Sequence, residues 1–476
     1  MAEEKQGWTP LLFLICVTIT IGTVIPIGYC FGVVNAPSAF IRQWASESVS
    51  KRYSKDLTSS QLTLLMAFVV SMFQVGGIVG SFVASMFNNK LGRKGSLLVS
   101  GILFLISSLC QWICRPLNLV ELLLLGRLVA GFASGLVYST QPMYLVELAP
   151  AELSGSVGVF TCIGITGGIV LGQIFSFDFT LGTDGLWHFA LAAFGLFVLI
   201  GMVPACFFPE SPRYLFSKGN VDRTKASLMR LRSTSERAER ELAEMEATPN
   251  VERVSMCAVI KNGKLTMPLI LVCGFHSVQQ FSGISVIWYY SVGIFTDAGF
   301  SLTVALWLNF GEGMLNLCVA LLGPLLMGRF NRRTLMMTSC FFSGVFLALL
   351  SIGLKFVSQV VAMLCIGFLS MYIISFNFGL ASIPYFIGSE LFEVPPRAAA
   401  MALGSLFNWL TNFIGSMAFP VAQASVGSFA FMPCAIVCIL GFLLTFIYLP
   451  ETRNREPKDV APLLEHGFKS KIKEKK

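Results

Sequence analysis

Two adjacent glutamines, Gln279 and Gln280, stand inside the run HSVQQFSGISVIWYY, and the chain around them is almost wholly apolar. A side-chain amide offers a donor and an acceptor and carries no net charge. Facing lipid it is costly, because hydrocarbon supplies a partner for neither group. Gln173, Asn316, Asn377 and Asn408, the last beside Trp409, occur in the same setting. Either each amide bonds a neighbouring helix, at roughly 0.6 kcal/mol per contact, or together they face one cavity. Successive helical residues point about 100° apart, so Gln279 and Gln280 can share a broad inward face. Gly283, just beyond them, lets the helix bend.

Two ionisable residues share these apolar surroundings, Arg127 and Glu312. An acid inside a membrane is a functional suspect by default. Other chemistry is missing from the motifs. The chain has no G-x-x-x-x-G-K-[ST] phosphate loop, no HExxH and no G-x-S-x-G, and its 3 histidines make no metal site. No enzyme activity, cofactor or metal is therefore expected. The 13 cysteines are scattered without CxxC spacing and read as small packing residues. Cys110 and Cys114 form the one close pair, and i,i+4 on a helix is poor disulfide geometry.

The elements that must position these groups are membrane helices. Of 476 residues 55% are apolar and 13% charged, with a mean hydropathy of +0.73. Apolar runs of about twenty residues, enough to cross roughly 30 Å of hydrocarbon, recur near 9–33, 62–86, 97–113, 119–139, 156–176, 187–208, 267–292, 301–326, 334–354, 358–388, 398–422 and 428–449. The first run has no small-residue cleavage site after it and is read as a span rather than a removed signal. Most lysines and arginines fall in the segments that are cytoplasmic if the N-terminus is inside, so both termini are placed in the cytosol. The net charge of +8 then reflects basic cytoplasmic loops and not nucleic-acid binding.

Short charged words repeat at one offset. PESPRYL from Pro209 and PETRNR from Pro450 lie 241 apart, LGRK at 91–94 and FNRR at 330–333 lie 239 apart, and VEL at 146–148 and SEL at 389–391 lie 243 apart. The expected fold is an all-α membrane protein of twelve transmembrane helices in two pseudo-symmetric six-helix bundles, the major facilitator fold. The expected domains are a first bundle at 1–208, a cytoplasmic helical linker at 209–266, a second bundle at 267–450 and a cytoplasmic tail at 451–476.

NNKLGRK, GRLVAG, PMYLVELAP, PESPRYL, QQFSGI, IPYFIGSELF, FNWLTNF and PETR, in that order from about Gly22 to Arg455, resemble the facilitative hexose transporters, the GLUT-type branch of the sugar porters. The resemblance implies passive transport of glucose or fructose across the plasma membrane by alternating access, functional as a monomer, with a hexose and the lipid bilayer as partners. A sugar is an uncharged polyol, and amides with a flat aromatic face suit it. The implied sugar-binding residues are Gln173, Gln279, Gln280, Ser285, Asn316, Asn377, Tyr385, Asn408 and Trp409. Ser285 stands where the family has asparagine, and Tyr385 where many members have tryptophan. His276-Ser277-Val278 replaces the Gln-Leu-Ser of glucose-preferring members, leaving fructose or mixed hexose open. The glycine-proline run of span ten is here Gly379 to Ser382, with Pro384 as the breaker, so that helix is expected to bend less freely.

Proton-coupled relatives place an aspartate in span one opposite the span-four arginine. Here that arginine is Arg127 and the matching position is Cys30, which favours uniport. Glu312 keeps a proton-coupled symporter open as the alternative, as is a same-fold carrier of another polar solute such as urate. Arg93, Glu147, Glu210 and Arg213 in the first half, with Arg332, Arg333, Glu390, Arg397 and Glu451 in the second, are expected to pair when the cytoplasmic side is closed. In the tail, Asp459 to Leu464 has the acidic dileucine pattern read by sorting adaptors.

Overall fold

In hydrocarbon every backbone N–H and C=O must find its partner within the chain, and a helix does this by itself. The computed structural model describes residues 7–54, 56–150, 153–232, 234–247, 254–297, 299–356, 359–453, 455 and 457–469, and among them every regular element is helical. Among the described residues, ten helical stretches are long and apolar enough to cross a membrane. Two of them, Ser59–Ile113 and Pro396–Tyr448, hold 55 and 53 residues. At 1.5 Å per residue each is about 80 Å long, more than twice the roughly 30 Å hydrocarbon core. Each therefore makes two crossings, and the protein has the twelve transmembrane helices of the expected fold.

By internal contacts the chain divides into Met1–Leu57 with Met72–Asn250, and Thr58–Ser71 with Val251–Lys476. In the first unit α1 (Pro10–Ile19), a π turn (Thr20–Val24) and α2 (Ile25–Gly32) make one crossing. Thr9 caps α1 by accepting from Leu12 N at 3.2 Å. Pro26, in the first turn of α2, has no N–H for the ladder, and the π turn directly precedes it. There follow α3 (Ser38–Tyr53), α4 (Ser59–Ile113), α5 (Val120–Leu148), α6 (Ser154–Phe175), α7 (Trp187–Ala192) and α8 (Phe194–Ala205). Inside α4, Gly92 leaves the helical region at φ 82, ψ 178, and there the chain turns between two spans.

Small residues bring this unit's helices together. On α2 and α6, Gly28, Gly32, Gly168 and Gly172 face one another so closely that a Cβ on Gly28 would fall on the carbonyl of Ile165, and one on Gly168 on the carbonyl of Ile25. The same arrangement recurs between α4 and α5. A Cβ on Gly76 would fall on Leu128 O, one on Gly80 on Phe132 O, and one on Gly131 on Phe73 O. Lipid gives no hydrophobic drive between helices, so close backbone packing of this small-xxx-small kind supplies the attraction.

After α8 the chain continues through α9 (Pro212–Ser217), α10 (Val221–Leu231), α11 (Ser235–Ala247) and α12 (Met256–Lys261). Ser211 caps α9 by accepting from Tyr214 N at 3.2 Å. Arg232 joins α10 to α11 through both oxygens of Glu241, at 2.6 and 2.8 Å, and donates to Leu148 O at 2.7 Å.

The second unit contains α13 (Thr266–Phe281), α14 (Ile284–Asp297), α15 (Leu302–Arg329), α16 (Arg332–Gly353), α17 (Gln359–Phe378), α18 (Ile383–Leu391), α19 (Val394–Val426), α20 (Met432–Tyr448) and, in the tail, α21 (Pro457–Leu464). Two spans are broken. Span seven breaks between α13 and α14, where Gly283 takes φ +87. Span ten breaks between α17 and α18 at residues 379–382. The expectation of a stiffer span ten is thus corrected: the run Gly379 to Ser382 still unwinds, with Pro384 in the first turn of α18. All 13 cysteines are free, Cys110 and Cys114 among them.

The glycine packing predicts a contrast between neighbours. Gly168→Ala should lower the thermal midpoint of the purified protein, at a cost on the order of 1–3 kcal/mol for forcing the backbones apart. Gly167→Ala, whose Cβ would meet nothing within 4 Å, should leave the midpoint unchanged or raise it slightly, since alanine is the better helix former by about 1 kcal/mol.

Candidate functional site

Eight of the nine expected binding residues lie in the second unit, and their amides form a relay with one possible polarity. The break in span ten leaves the carbonyls of Leu380 and Ala381 without helical partners. Gln279 Nε2 donates to both, at 2.7 and 3.2 Å. A carbonyl can only accept, so the nitrogen of Gln279 must face the break and its oxygen must face away. That oxygen accepts from Asn408 Nδ2 at 2.7 Å. Asn408 Oδ1 in turn accepts from Gln280 Nε2 at 3.0 Å, and Gln280 Oε1 accepts from Ser285 Oγ at 2.7 Å. Each amide is oriented by the one before it.

A second pair spans α15 and α17. Asn377 Nδ2 donates to Asn316 Oδ1 at 2.9 Å and to its own helix at Ile373 O, 2.8 Å. Both its N–H groups are used, which leaves Asn377 Oδ1 to accept and Asn316 Nδ2 to donate toward a ligand. Trp409 is buried beside Asn408, and Tyr385 is half-buried with its ring edge-on to His276, centroids 5.3 Å apart. Gln173 is buried on α6 in the first unit.

Glu312 lies 4% exposed on α15, and Ser370 Oγ of α17 donates to its Oε1 at 2.9 Å. The residues Asn309, Glu312 and Asn316 follow i, i+3, i+7 spacing, so they form one polar stripe along the helix. Asn309 Oδ1 accepts from Ser291 Oγ at 2.8 Å. Asn309, Ser291 and Ser370 were not among the expected residues, although the spacing of Asn309 to Glu312 was available to find the first of them. In the first unit Arg127 is fully buried, donates to Cys30 O at 3.0 Å and lies over the Phe73 ring at 4.8 Å.

The charged words build the same device once in each unit. In the first, Arg93 Nε and Nη2 reach both oxygens of Glu147, each at 2.9 Å. Ser211 Oγ also donates to Glu147. Glu210 Oε1 accepts from the backbone N of Arg93 and of Lys94, both at 3.1 Å, and so caps the helical segment that starts after Gly92. In the second, Arg332 Nε lies 3.4 Å from Glu390 Oε1, and Thr452 Oγ1 donates to Glu390. Glu451 accepts from Arg332 N at 2.9 Å and Arg333 N at 3.2 Å, capping α16. A carboxylate at a helix N-terminus meets both unsatisfied N–H groups and the positive end of the helix dipole. The other two expected gate residues stand apart from these clusters. Arg397 donates to Phe392 O at 3.2 and 3.1 Å, and Arg213 is exposed.

The tail word Asp459 to Leu464 is wound into α21, with Val460 and Leu464 fully buried. Lys264 pairs with Glu465 just after it, and that hydrogen bond holds the Glu465 carboxyl below the usual glutamate range. A dileucine in this form is not displayed as a free extended peptide.

The family model for the sugar (and other) transporters matches residues 15–464. The chain is 32% identical over 464 residues to the facilitated glucose transporter member 7 of solute carrier family 2 from Mus musculus, covering 96% of this chain and 90% of that one. It is 32% identical over 476 residues to member 3 from Homo sapiens, covering 97% and 94%. Among solved structures, the partially occluded inward-open xylose transporter XylE from E. coli superposes with a TM-score of 0.77 at 23% identity, over 94% of this chain and 100% of that one.

Two outcomes follow for stability, both read as thermal midpoints. Gln279→Leu strips the donors from Leu380 O and Ala381 O and should cost about 1–3 kcal/mol, the penalty of an unsatisfied buried polar group. Glu451→Gln keeps an acceptor but removes the charge, and should cost only about 0.3–1 kcal/mol.

Proposed function

Because the chain belongs to the sugar (and other) transporter family, we propose that it carries hexoses, glucose and/or fructose, down their gradients by alternating access as a uniporter. The observation that carries this reading is the uncharged relay from Ser285 through Gln280 and Asn408 to Gln279. Once their internal bonds are made, the relay and the separate Asn377–Asn316 pair still have one Gln280 N–H, the second lone pair of Asn408 Oδ1, both Asn316 N–H groups and Asn377 Oδ1 to offer. These alternate donors and acceptors with no net charge, as a row of sugar hydroxyls requires, and leave no bare charge when the site empties. Tyr385 and Trp409 add aromatic surfaces to the site proposed in the second unit, and Gln173 is proposed as a sugar-binding residue of the first.

Passive movement is favoured because no carboxylate occurs from Thr9 to Asn35 and the residue matching the coupling acid is Cys30, whose carbonyl receives the Arg127 guanidinium. Proton coupling is the second reading, favoured by the buried Glu312 and its single bond from Ser370. In the gate, Arg93 with Glu147 and Arg332 with Glu390 hold the cytoplasmic helix ends of each bundle in place and loosen when that side opens; Glu210 and Glu451 fasten the helices they cap. The protein is placed in the plasma membrane as a monomer with both termini cytoplasmic, with bundles at 1–208 and 267–450, a linker at 209–266 and a tail at 451–476. A sorting adaptor could read Asp459 to Leu464 only after α21 undocks.

Counterflow of labelled glucose and fructose in proteoliposomes tests the reading. Exchange of at least one hexose, without any requirement for an imposed proton gradient, is expected. Lack of counterflow for every hexose would refute it. Proton uptake accompanying a sugar pulse, abolished by Glu312→Gln while exchange persists, would move the assignment to symport.

A further inference from the structure

The half of span ten that follows the unwound residues 379–382 is α18, only 9 residues long, and it carries two attachments. One is Glu390 in its last turn, which lies 3.4 Å from Arg332 Nε and accepts from Thr452 Oγ1. The other is the tail. Shortly after Thr452 the chain winds into α21, which packs against both α18 and α13. Val460 and Leu464, at i and i+4 on one face of α21, are fully buried.

The tail is fastened again beyond that face. Lys264, in the short turn that leads into α13, pairs with Glu465. The Phe468 ring meets Tyr448 at the end of α20 edge-on, centroids 5.9 Å apart. The helix therefore lies across two elements that can part. Span seven is broken at Gly283 and span ten at residues 379–382, so a shift of α18 against α13 requires no bending of a continuous helix. Such a shift divides the bed that α18 and α13 make for α21, and with it goes the apolar burial that holds the tail in place. Within the word Asp459 to Leu464, the aspartate is exposed and Leu463 is half-buried, so Leu464 is the member that the fold withholds.

We propose that α21 is a sorting signal whose availability follows the cytoplasmic gate. While Arg332 holds Glu390, α18 and α13 together keep α21 docked and Leu464 covered. When that pair opens, α18 shifts, α21 undocks, and Asp459 to Leu464 is presented to an adaptor with an apolar slot for two leucines and a basic site for the aspartate. The proposal deepens the adaptor reading above and rests on the gate reading with it. Carriers resting with the gate open are the ones offered for retrieval.

Hydrogen exchange of the full-length carrier in nanodiscs reads residues 383–391 and 457–469 in one experiment. Arg332→Ala should speed exchange of both segments by about fivefold or more, the lower end of ordinary coupling between sites. Lys264→Glu, which leaves the gate pair intact, should speed 457–469 alone, and adding Glu465→Lys should restore the slow rate. Binding of a purified dileucine-recognising adaptor core to the same nanodiscs should be weak for the wild type and rise by about fivefold or more in Arg332→Ala and in Lys264→Glu. It should vanish when Leu463→Ala and Leu464→Ala are added. If 383–391 exchanges faster in Arg332→Ala while 457–469 does not, the tail is held independently of the gate and the proposal is overturned. Equal adaptor binding by the wild type and Lys264→Glu, present in both or absent from both, overturns it as well. If neither segment responds to Arg332→Ala, the gate reading fails and takes this proposal with it, so the two failures are distinguishable.

Discussion

Two backbone carbonyls, those of Leu380 and Ala381, set the terms for the second bundle. The chain unwinds at residues 379–382 inside a membrane span, where water is scarce and lipid offers no donor. An unsatisfied group in that setting costs several kcal/mol. The side chain of Gln279 meets both carbonyls, and its orientation then propagates through Asn408 and Gln280 to Ser285. Broken helix and proposed binding surface are therefore one construction. The break needs the glutamine, and the glutamine's remaining oxygen orients Asn408, the next amide of the relay.

A related economy governs the helix ends that carry the charged words. Glu210 and Glu451 each bond backbone N–H groups at the start of a helix far away in sequence. Next to them, Ser211 and Thr452 donate to Glu147 and Glu390, the partners of Arg93 and Arg332. Four residues serve the same four roles in each half. In the first half Arg93 Nη2 donates to Glu147 at 2.9 Å with Nε in ion-pair contact at 2.9 Å, and in the second Arg332 Nε lies 3.4 Å from Glu390.

What could be read in the sequence was what the sequence carries locally. The span count, the duplicated words and the family followed from apolar length, charged motifs and their spacing. The mid-span amides were visible because an amide in an apolar run is an anomaly wherever it points. Their partners were not visible. Leu380 and Ala381 act through main-chain oxygen, which no side chain advertises, and the replacement of a glycine-proline run by Gly379 to Ser382 suggested a stiffer helix only because Gln279's service to the break could not be seen. Ser370 and Thr452 are small hydroxyl residues of a kind scattered throughout the chain. The mutual contacts of Gly28, Gly32, Gly168 and Gly172 depend on which faces of two helices meet, and the buried state of Leu464 depends on α21 docking rather than on its dileucine word.

We propose that the amide relay of the second bundle holds an uncharged hexose. Ligand protection of the purified carrier tests this without reliance on transport, since a ligand that binds only the folded protein raises its thermal midpoint in proportion to RT ln(1 + [L]/Kd). D-glucose or D-fructose should raise the midpoint of the wild type in a concentration-dependent way, L-glucose should not, and Gln280→Ala should abolish the shift measured against that variant's own unliganded midpoint. Equal shifts with D- and L-glucose, or full protection of Gln280→Ala by the hexose, would contradict the account.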